Sequence, residues 1–205
     1  MLIWGFKTLF KTLSEGVFHC PRCGGDRQYH LKLARRWFTF FFIPIFPFKQ
    51  QGTHVECTTC KGTYHDTVLQ QATSAQISAH LSQGMHALAL AVLRVSGTAP
   101  STAARTAAVG AVVESGVPAY TVERLDADLA GPGHDLASVL VPLGDQLQAQ
   151  GREWLLTRAT LIAAADGGIG SAERALLDQV GGLLQMTPAH VAGVVETTQR
   201  SVPRG

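Results

Sequence analysis

Four cysteines carry the clearest chemistry in the chain, as Cys20-Pro21-Arg22-Cys23-Gly24 and Cys57-Thr58-Thr59-Cys60-Lys61-Gly62. A Cys-x-x-Cys turn aims both sulfurs at one point, and a glycine after it relaxes the backbone. Two such turns can close a tetrahedral four-sulfur shell, which suits zinc. The alternative use of Cys-x-x-Cys is redox exchange, but a redox pair opens a helix inside a βαβ unit, and neither pair has that setting. Four protein ligands leave no open coordination position, so Cys20, Cys23, Cys57 and Cys60 predict one structural Zn2+ per chain. His19, His54 and His65 flank the pairs and are read as surface or packing residues.

The elements that position these thiols lie in a segment of distinctive composition. Residues 1–65 hold all nine Phe, all four Cys, every Lys, and a charge of about +6, whereas residues 66–205 are rich in Ala, Leu, Val and Gly, with a charge of about −4. Two modules of different architecture are expected, the first made of a leading segment 1–18 and a ribbon 19–66, the second of residues 67–205. The charge contrast suits docking of acidic on basic surfaces as well as an external partner. In 1–18, Leu2, Phe6, Leu9 or Phe10, Leu13 and Val17 recur at helical spacing, with Lys7 and Lys11 elsewhere on the wheel, which predicts an amphipathic helix. Its expected role is to cover the aromatic face of the next module or to lie in a membrane interface. Between the knuckles, Trp37 to Phe48 is almost continuously apolar, and Pro44 and Pro47 exclude helix and central strand at their positions. Tyr29–Leu33, Trp37–Ile43 and Thr53–Glu56 are the predicted strands. A module of this size cannot enclose nine phenylalanines, so part of this surface should meet another domain, another chain or lipid.

These parts resemble a bacterial family of small zinc-ribbon proteins. Its Cys-Pro-x-Cys-Gly knuckle precedes a Phe-Phe-Ile-Pro-x-x-Pro segment, here Phe41-Phe42-Ile43-Pro44-Ile45-Phe46-Pro47, and a second Cys-x-x-Cys follows. The resemblance implies a zinc-bound β-ribbon and no established reaction.

From Thr67 onward, apolar residues recur at three- and four-residue spacing, broken by Gly97–Pro100, Gly116–Pro118, Gly131–Gly133 and Gly167–Gly170. Six or seven helices are predicted, over 67–95, 101–115, 119–130, 134–149, 152–165, 171–185 and 188–199. Pro142 should kink or break its helix near Leu140. A shift of 70 residues brings Ser96-Gly97 onto Asp166-Gly167, Ser101 onto Ser171 and Pro118-Ala119 onto Pro188-Ala189, the pattern of a duplicated helical unit.

Ala165-Asp166-Gly167-Gly168-Ile169-Gly170-Ser171-Ala172-Glu173 ends like an EF-hand loop. An EF-hand needs oxygen ligands four and two residues before the aspartate, where Ile162 and Ala164 stand, so calcium binding of that kind is excluded. Asp166 is expected to accept backbone N–H bonds in the turn, and Glu173 to support the helix start from an N-cap at Gly170. A second metal or a partner is the other use of these two carboxylates.

The motif, with Ala175-Leu176-Leu177 and Thr187-Pro188-Ala189, resembles the TerB-like family named for bacterial tellurite resistance. The resemblance implies an all-α domain of two pseudo-repeated helical halves, an acidic surface for metal or partners, and no settled catalysis. The family's turn acids map to Asp166 and Glu173, while the equivalent first-half positions hold Ser96 and Ala103.

The expected fold is therefore a small β zinc ribbon followed by a TerB-like helical bundle. The expected function is a non-enzymatic, metal-binding scaffold protein tied to stress response or tellurite resistance. No nucleophile elbow, phosphate loop or His-Glu-x-x-His helix is present. A catalytic reading would need His134, Asp135 or His190 beside Asp166 and Glu173. The alternatives are a nucleic-acid-binding ribbon, against which the cations are scattered and the aromatics form a greasy run, and a peripheral membrane adaptor using Met1–Val17 and Trp37–Phe48. Free thiols arranged for zinc, with no stretch read as a signal peptide or span, give a cytoplasmic expectation, at most peripheral to the inner membrane. The protein partner and the oligomeric state stay open.

Overall fold

The structure, a computed structural model, describes residues 4–40, 43–96 and 99–202. It divides into two compact units, Met1–Gln76 and Ile77–Gly205.

The first unit is an antiparallel sheet of order β1-β2-β3-β4, formed by β1 (Trp4–Cys20), β2 (Gly25–Phe40), β3 (Ile43–Cys57) and β4 (Thr63–Tyr64). The register runs Cys20 opposite Gly25 and Tyr29 opposite Cys57, so each cysteine knuckle is itself a strand-to-strand turn, and both turns lie at one end of the sheet. The amphipathic helix expected over 1–18 is corrected here: residues 4–20 are β1. Phe6, Thr8, Phe10 and Thr12 alternate with period two, and aromatic and β-branched residues fit a pleated strand paired along its length. The register shift between Thr12 and Ser14 breaks that alternation, which let the spacing pass for a helical stripe. The predicted strands are also longer than expected, since 29–33 and 37–40 are one strand, β2. The predicted Phe41 and Phe42 fall outside the described residues.

The core of this unit sits at the knuckle end. Phe18, Cys20, Val55, Cys57 and Val68 are buried, with Tyr29, Leu31, Tyr64 and Leu69 packed against them. Val68 comes from a single 3-10 turn at Asp66–Gln70, anchored by Thr53 Oγ1 donating to Asp66 Oδ2 at 3.2 Å. The chain just beyond residue 66 therefore packs with the sheet, in the unit that runs to Gln76.

Seven helices follow: α1 (Ser74–Val95), α2 (Thr102–Glu114), α3 (Val122–Ala130), α4 (Leu136–Gln146), α5 (Ala149–Ala164), α6 (Ser171–Leu183) and α7 (Pro188–Ser201). Ser101, Thr121, Asp135 and Thr187 cap their helices by accepting from a backbone N–H in the first turn. Pro142 lies inside α4, which runs on to Gln146, so the expected break near Leu140 does not occur. The core is built from Met85, Leu88, Leu90, Leu125, Leu140, Leu143, Leu155, Leu156, Ile162, Leu177 and Leu184, all essentially without solvent exposure. Gly181 lets α6 approach α7: a Cβ there would stand 2.2 Å from Val191 Cγ2. Shifting by 70 residues carries the end of α1 onto that of α5 and the start of α2 onto that of α6, each within one residue. Among the described residues, no helix is long and apolar enough to cross a membrane.

Candidate metal centre

Both knuckles use one turn. Gly24 N–H donates to Cys20 O at 2.9 Å, and Lys61 N–H donates to Cys57 O at 3.0 Å. Gly24 and Lys61 have φ of 65° and 57°, so the left-handed position falls immediately after the second cysteine of each pair. In the second knuckle it is therefore Lys61, and not the trailing Gly62, that takes the conformation which glycine accommodates without strain. Cys57 N–H donates to Gly62 O at 2.9 Å, and Thr58 N–H reaches across to Gln28 O at 3.0 Å.

These turns bring the sulfurs of Cys20, Cys23, Cys57 and Cys60 within 4.8 Å of one another. Cys20 Sγ and Cys60 Sγ are 3.8 Å apart. A disulfide would need about 2.05 Å. A tetrahedral shell with metal–sulfur bonds of about 2.3 Å puts its sulfurs about 3.8 Å apart, so the donor set fits one four-coordinate metal ion. Cys20 and Cys57 are buried, and Cys23 and Cys60 are half-buried.

Tyr64 completes the wall of the site. Its Oη lies 3.5 Å from Cys20 Sγ and 3.9 Å from Cys60 Sγ, and its ring, with that of Tyr29, flanks Phe18. Burial by itself would raise the Cys20 thiol, yet the Tyr64 hydroxyl and the backbone at Cys23 and Arg22 bring it down to about 6. Cys23 is pushed up to about 12, by burial first and then by the three neighbouring thiols. The backbone at Gly62 leads the lowering of Cys60. Tyr64 is held protonated, chiefly by its bond to Cys20. Four crowded sulfurs resist shared ionisation, a conflict that a bound cation would relieve. Sequence reasoning did not single out Tyr64, which no spacing rule ties to the knuckles.

Two of the flanking histidines take other partners. His19 Nδ1 is 3.5 Å from Asp26 Oδ1, and the His54 ring packs edge-on against Phe10. Asp26 also accepts from Ser74 N–H at 2.9 Å and Ala75 N–H at 3.1 Å. The Ser74 N–H contact is the main reason its carboxyl lies below the usual range.

Asp166 and Glu173 stand at the α5–α6 turn. Glu173 Oε2 accepts from Gly170 N–H at 2.7 Å, the expected support of the helix start, and its Oε1 accepts from Ser96 Oγ at 2.7 Å. Asp166 Oδ1 accepts from Ser101 Oγ in place of the backbone partners expected for it. The neighbours a catalytic reading would require are engaged elsewhere: His190 Nε2 pairs with Glu153 at 2.7 Å, Asp135 caps α4, and the His134 ring faces His86. Among the described residues, the four cysteines are the group of three or more His, Cys, Asp or Glu placed to hold a metal.

Sequence reasoning also missed a polar cluster in a cleft of about 480 Å3 in the helical unit. Asp128 Oδ2 accepts from His86 Nε2 at 2.9 Å and Tyr120 Oη at 3.0 Å, and Arg124 Nε is 3.2 Å from Oδ1. The residues come from α1, the α2–α3 connection and α3, so no local motif announces them.

No curated protein and no solved structure matches the chain. The stretch that begins at Phe18, contains both knuckles and extends into α1, residues 18–84, matches the model of a zinc-ribbon family.

Proposed function

We propose that the chain is a non-enzymatic interaction protein whose first unit is held folded by one structural zinc ion and whose helical unit is a TerB-like docking module. The observation that carries the zinc reading is the closed set of four sulfurs at tetrahedral spacing, built on two turns of the same geometry. Four thiolates fill a zinc coordination sphere, and bound zinc would supply cross-linking of the two knuckles rather than chemistry on a substrate. Cys20, Cys23, Cys57 and Cys60 hold the ion, while Tyr64 and the knuckle backbone orient and partly neutralise the sulfurs. Free thiols kept for metal suit a reducing compartment, which supports a cytoplasmic setting.

The TerB-like reading is supported by the matching helix boundaries of the two halves and by the way their turns meet. Ser96 and Ser101, from the first half, donate to Glu173 and Asp166 of the second. Serine hydroxyls thus occupy the first-half side of the turn pair, and the two carboxylates serve the contact between halves. A role in a stress- or tellurite-response assembly rests on the family resemblance.

Replacing the zinc with cobalt tests the non-enzymatic reading. A closed tetrathiolate site gives a cobalt spectrum that azide and other small ligands leave unchanged. A spectrum that shifts on adding azide reveals an open coordination position and contradicts a purely structural ion.

A further inference from the structure

We infer that the end of the sheet remote from the knuckles is a lipid-docking surface for an anionic bilayer; this rests on reading the first unit as a metal-folded interaction module. The strands of 15 to 17 residues carry the sheet far past the cysteines. Phe6 lies fourteen residues from Cys20 along β1, about 45 Å at strand rise. The buried cluster of the unit stays at the knuckle end.

Exposed apolar groups run from the middle of β1 to the far end, and Val17, three residues before Cys20, is exposed as well. Phe6, Phe10, Leu13, Ile43 and Phe46 are 43% to 65% exposed. Phe6, Phe38 and Phe46 stand opposite one another in register across β1, β2 and β3. Their rings pack edge-on at 5.7 Å and stacked at 5.2 Å, making one aromatic band across the sheet.

Acidic residues are sorted along the same axis, while cations occur at both ends. The four carboxylates of residues 1–76 are engaged away from that band: Glu15 with His30 at 3.0 Å, Glu56 with Lys32 at 2.8 Å, Asp26 with the start of α1, and Asp66 with Thr53. Residues 4–13 and 33–52 contain Lys7, Lys11, Arg35, Arg36 and Lys49 and no acidic residue. The Arg36 guanidinium lies 4.3 Å from the centre of the Phe6 ring, which places a cation at the level of the aromatic band.

Arg36 and Lys49 stand opposite one another in register on the band's own face, and Lys7, Lys11 and Arg35 lie on the other face. A sheet end that is cationic on both faces and carries an exposed apolar band complements one kind of partner, an anionic interface with an apolar interior. A second copy would set like charge against like. Nucleic acid would supply the anion, but rings already stacked on one another and the aliphatic Leu13 and Ile43 offer no platform for bases.

The test is sedimentation of the metal-loaded full chain with vesicles of phosphatidylcholine alone, or of phosphatidylcholine mixed with phosphatidylglycerol. The expected result is preferential sedimentation with the mixed vesicles. Arg35→Gln/Lys49→Gln should weaken it by about tenfold or more, as expected for removing two cations at an anionic surface, and Phe6→Ser/Phe46→Ser should weaken it at high salt too. Each variant is checked for its zinc content and sheet circular dichroism. No sedimentation of zinc-loaded protein overturns the lipid inference and leaves the ribbon standing, as does sedimentation that neither double variant changes. Binding of a single-stranded RNA oligonucleotide in place of vesicles, or a dimer broken by Phe6→Ser/Phe46→Ser, also overturns it. Protein that never carries zinc sinks the ribbon reading itself.

Discussion

Ser96 Oγ donates to Glu173 Oε1 at 2.7 Å, joining the end of α1 to the first turn of α6, 77 residues further along the chain. The same carboxylate holds Gly170 N–H with its other oxygen, so one buried side chain closes the α6 N-terminus and ties two helix ends together. Removing one donor from a buried carboxylate costs about 1–2 kcal/mol. Ser96→Ala should destabilise the helical unit by that amount in urea unfolding followed by circular dichroism. Glu173→Ala should cost more, since it also leaves Gly170 N–H unpaired. Equal effects would show that the Ser96 contact carries all of Glu173's contribution.

Gly181 gives a packing prediction. Its missing Cβ is what lets Val191 approach, so Gly181→Ala should destabilise the helical unit by about 1–3 kcal/mol through overpacking. Adding Val191→Ala should recover part of that loss. A double variant whose cost equals the sum of the two single costs would show that the pair is not coupled.

The Asp128 cluster sets a pH dependence. Burial pushes this carboxyl up, but hydrogen bonds from His86 and Tyr120 and the charge of Arg124 outweigh it, leaving it below the ordinary value. A depressed carboxyl contributes stability that is complete above its unfolded pKa of about 4 and is lost as pH falls through the lower folded value. Thermal melts of the wild type should therefore lose stability below about pH 4, and Asp128→Asn should flatten that acid limb while lowering stability at neutral pH. An unchanged acid limb in the variant would show that Asp128 does not contribute to it.

Lys61 is a lysine in a glycine conformation, whereas Gly24 fills the equivalent place in the first knuckle. The left-handed backbone costs a non-glycine residue about 1–2 kcal/mol, partly offset by the greater unfolded freedom of glycine. Lys61→Gly should stabilise the metal-bound ribbon by about 0.5–1 kcal/mol, read as slower zinc loss to a chelator. Faster loss would mean that the Lys61 side chain contributes more than its backbone costs.

The cysteine cluster was the most legible part of the chain, because its thiols come from two local motifs whose turns also define the sheet. The helices were legible too, since glycine-rich breaks and capping residues such as Ser101 and Thr187 mark their ends. Strand β1 was misread because a bulge near Leu13 shifts the phase of its alternation, and a shifted period of two over a few residues passes for 3.6. Pro142 stays inside a helix because tertiary packing on both sides, at Leu140 and Leu143, outweighs a local preference. Tyr64 beside the thiols and the His86–Tyr120–Asp128 cluster could not be read in advance, because contacts between separate elements leave no spacing in the sequence.

On the proposed function, Cys20, Cys23, Cys57 and Cys60 hold one zinc ion that folds the first unit. Elemental analysis of the purified full chain, beside a Cys57→Ser/Cys60→Ser variant, tests it most directly, with Asp166→Ala/Glu173→Ala as the comparison for the helical turn. The expected result is one zinc per chain, lost with the cysteines and kept without the two carboxylates. Wild-type protein free of zinc, or zinc that stays after Cys57 and Cys60 are replaced, would contradict it.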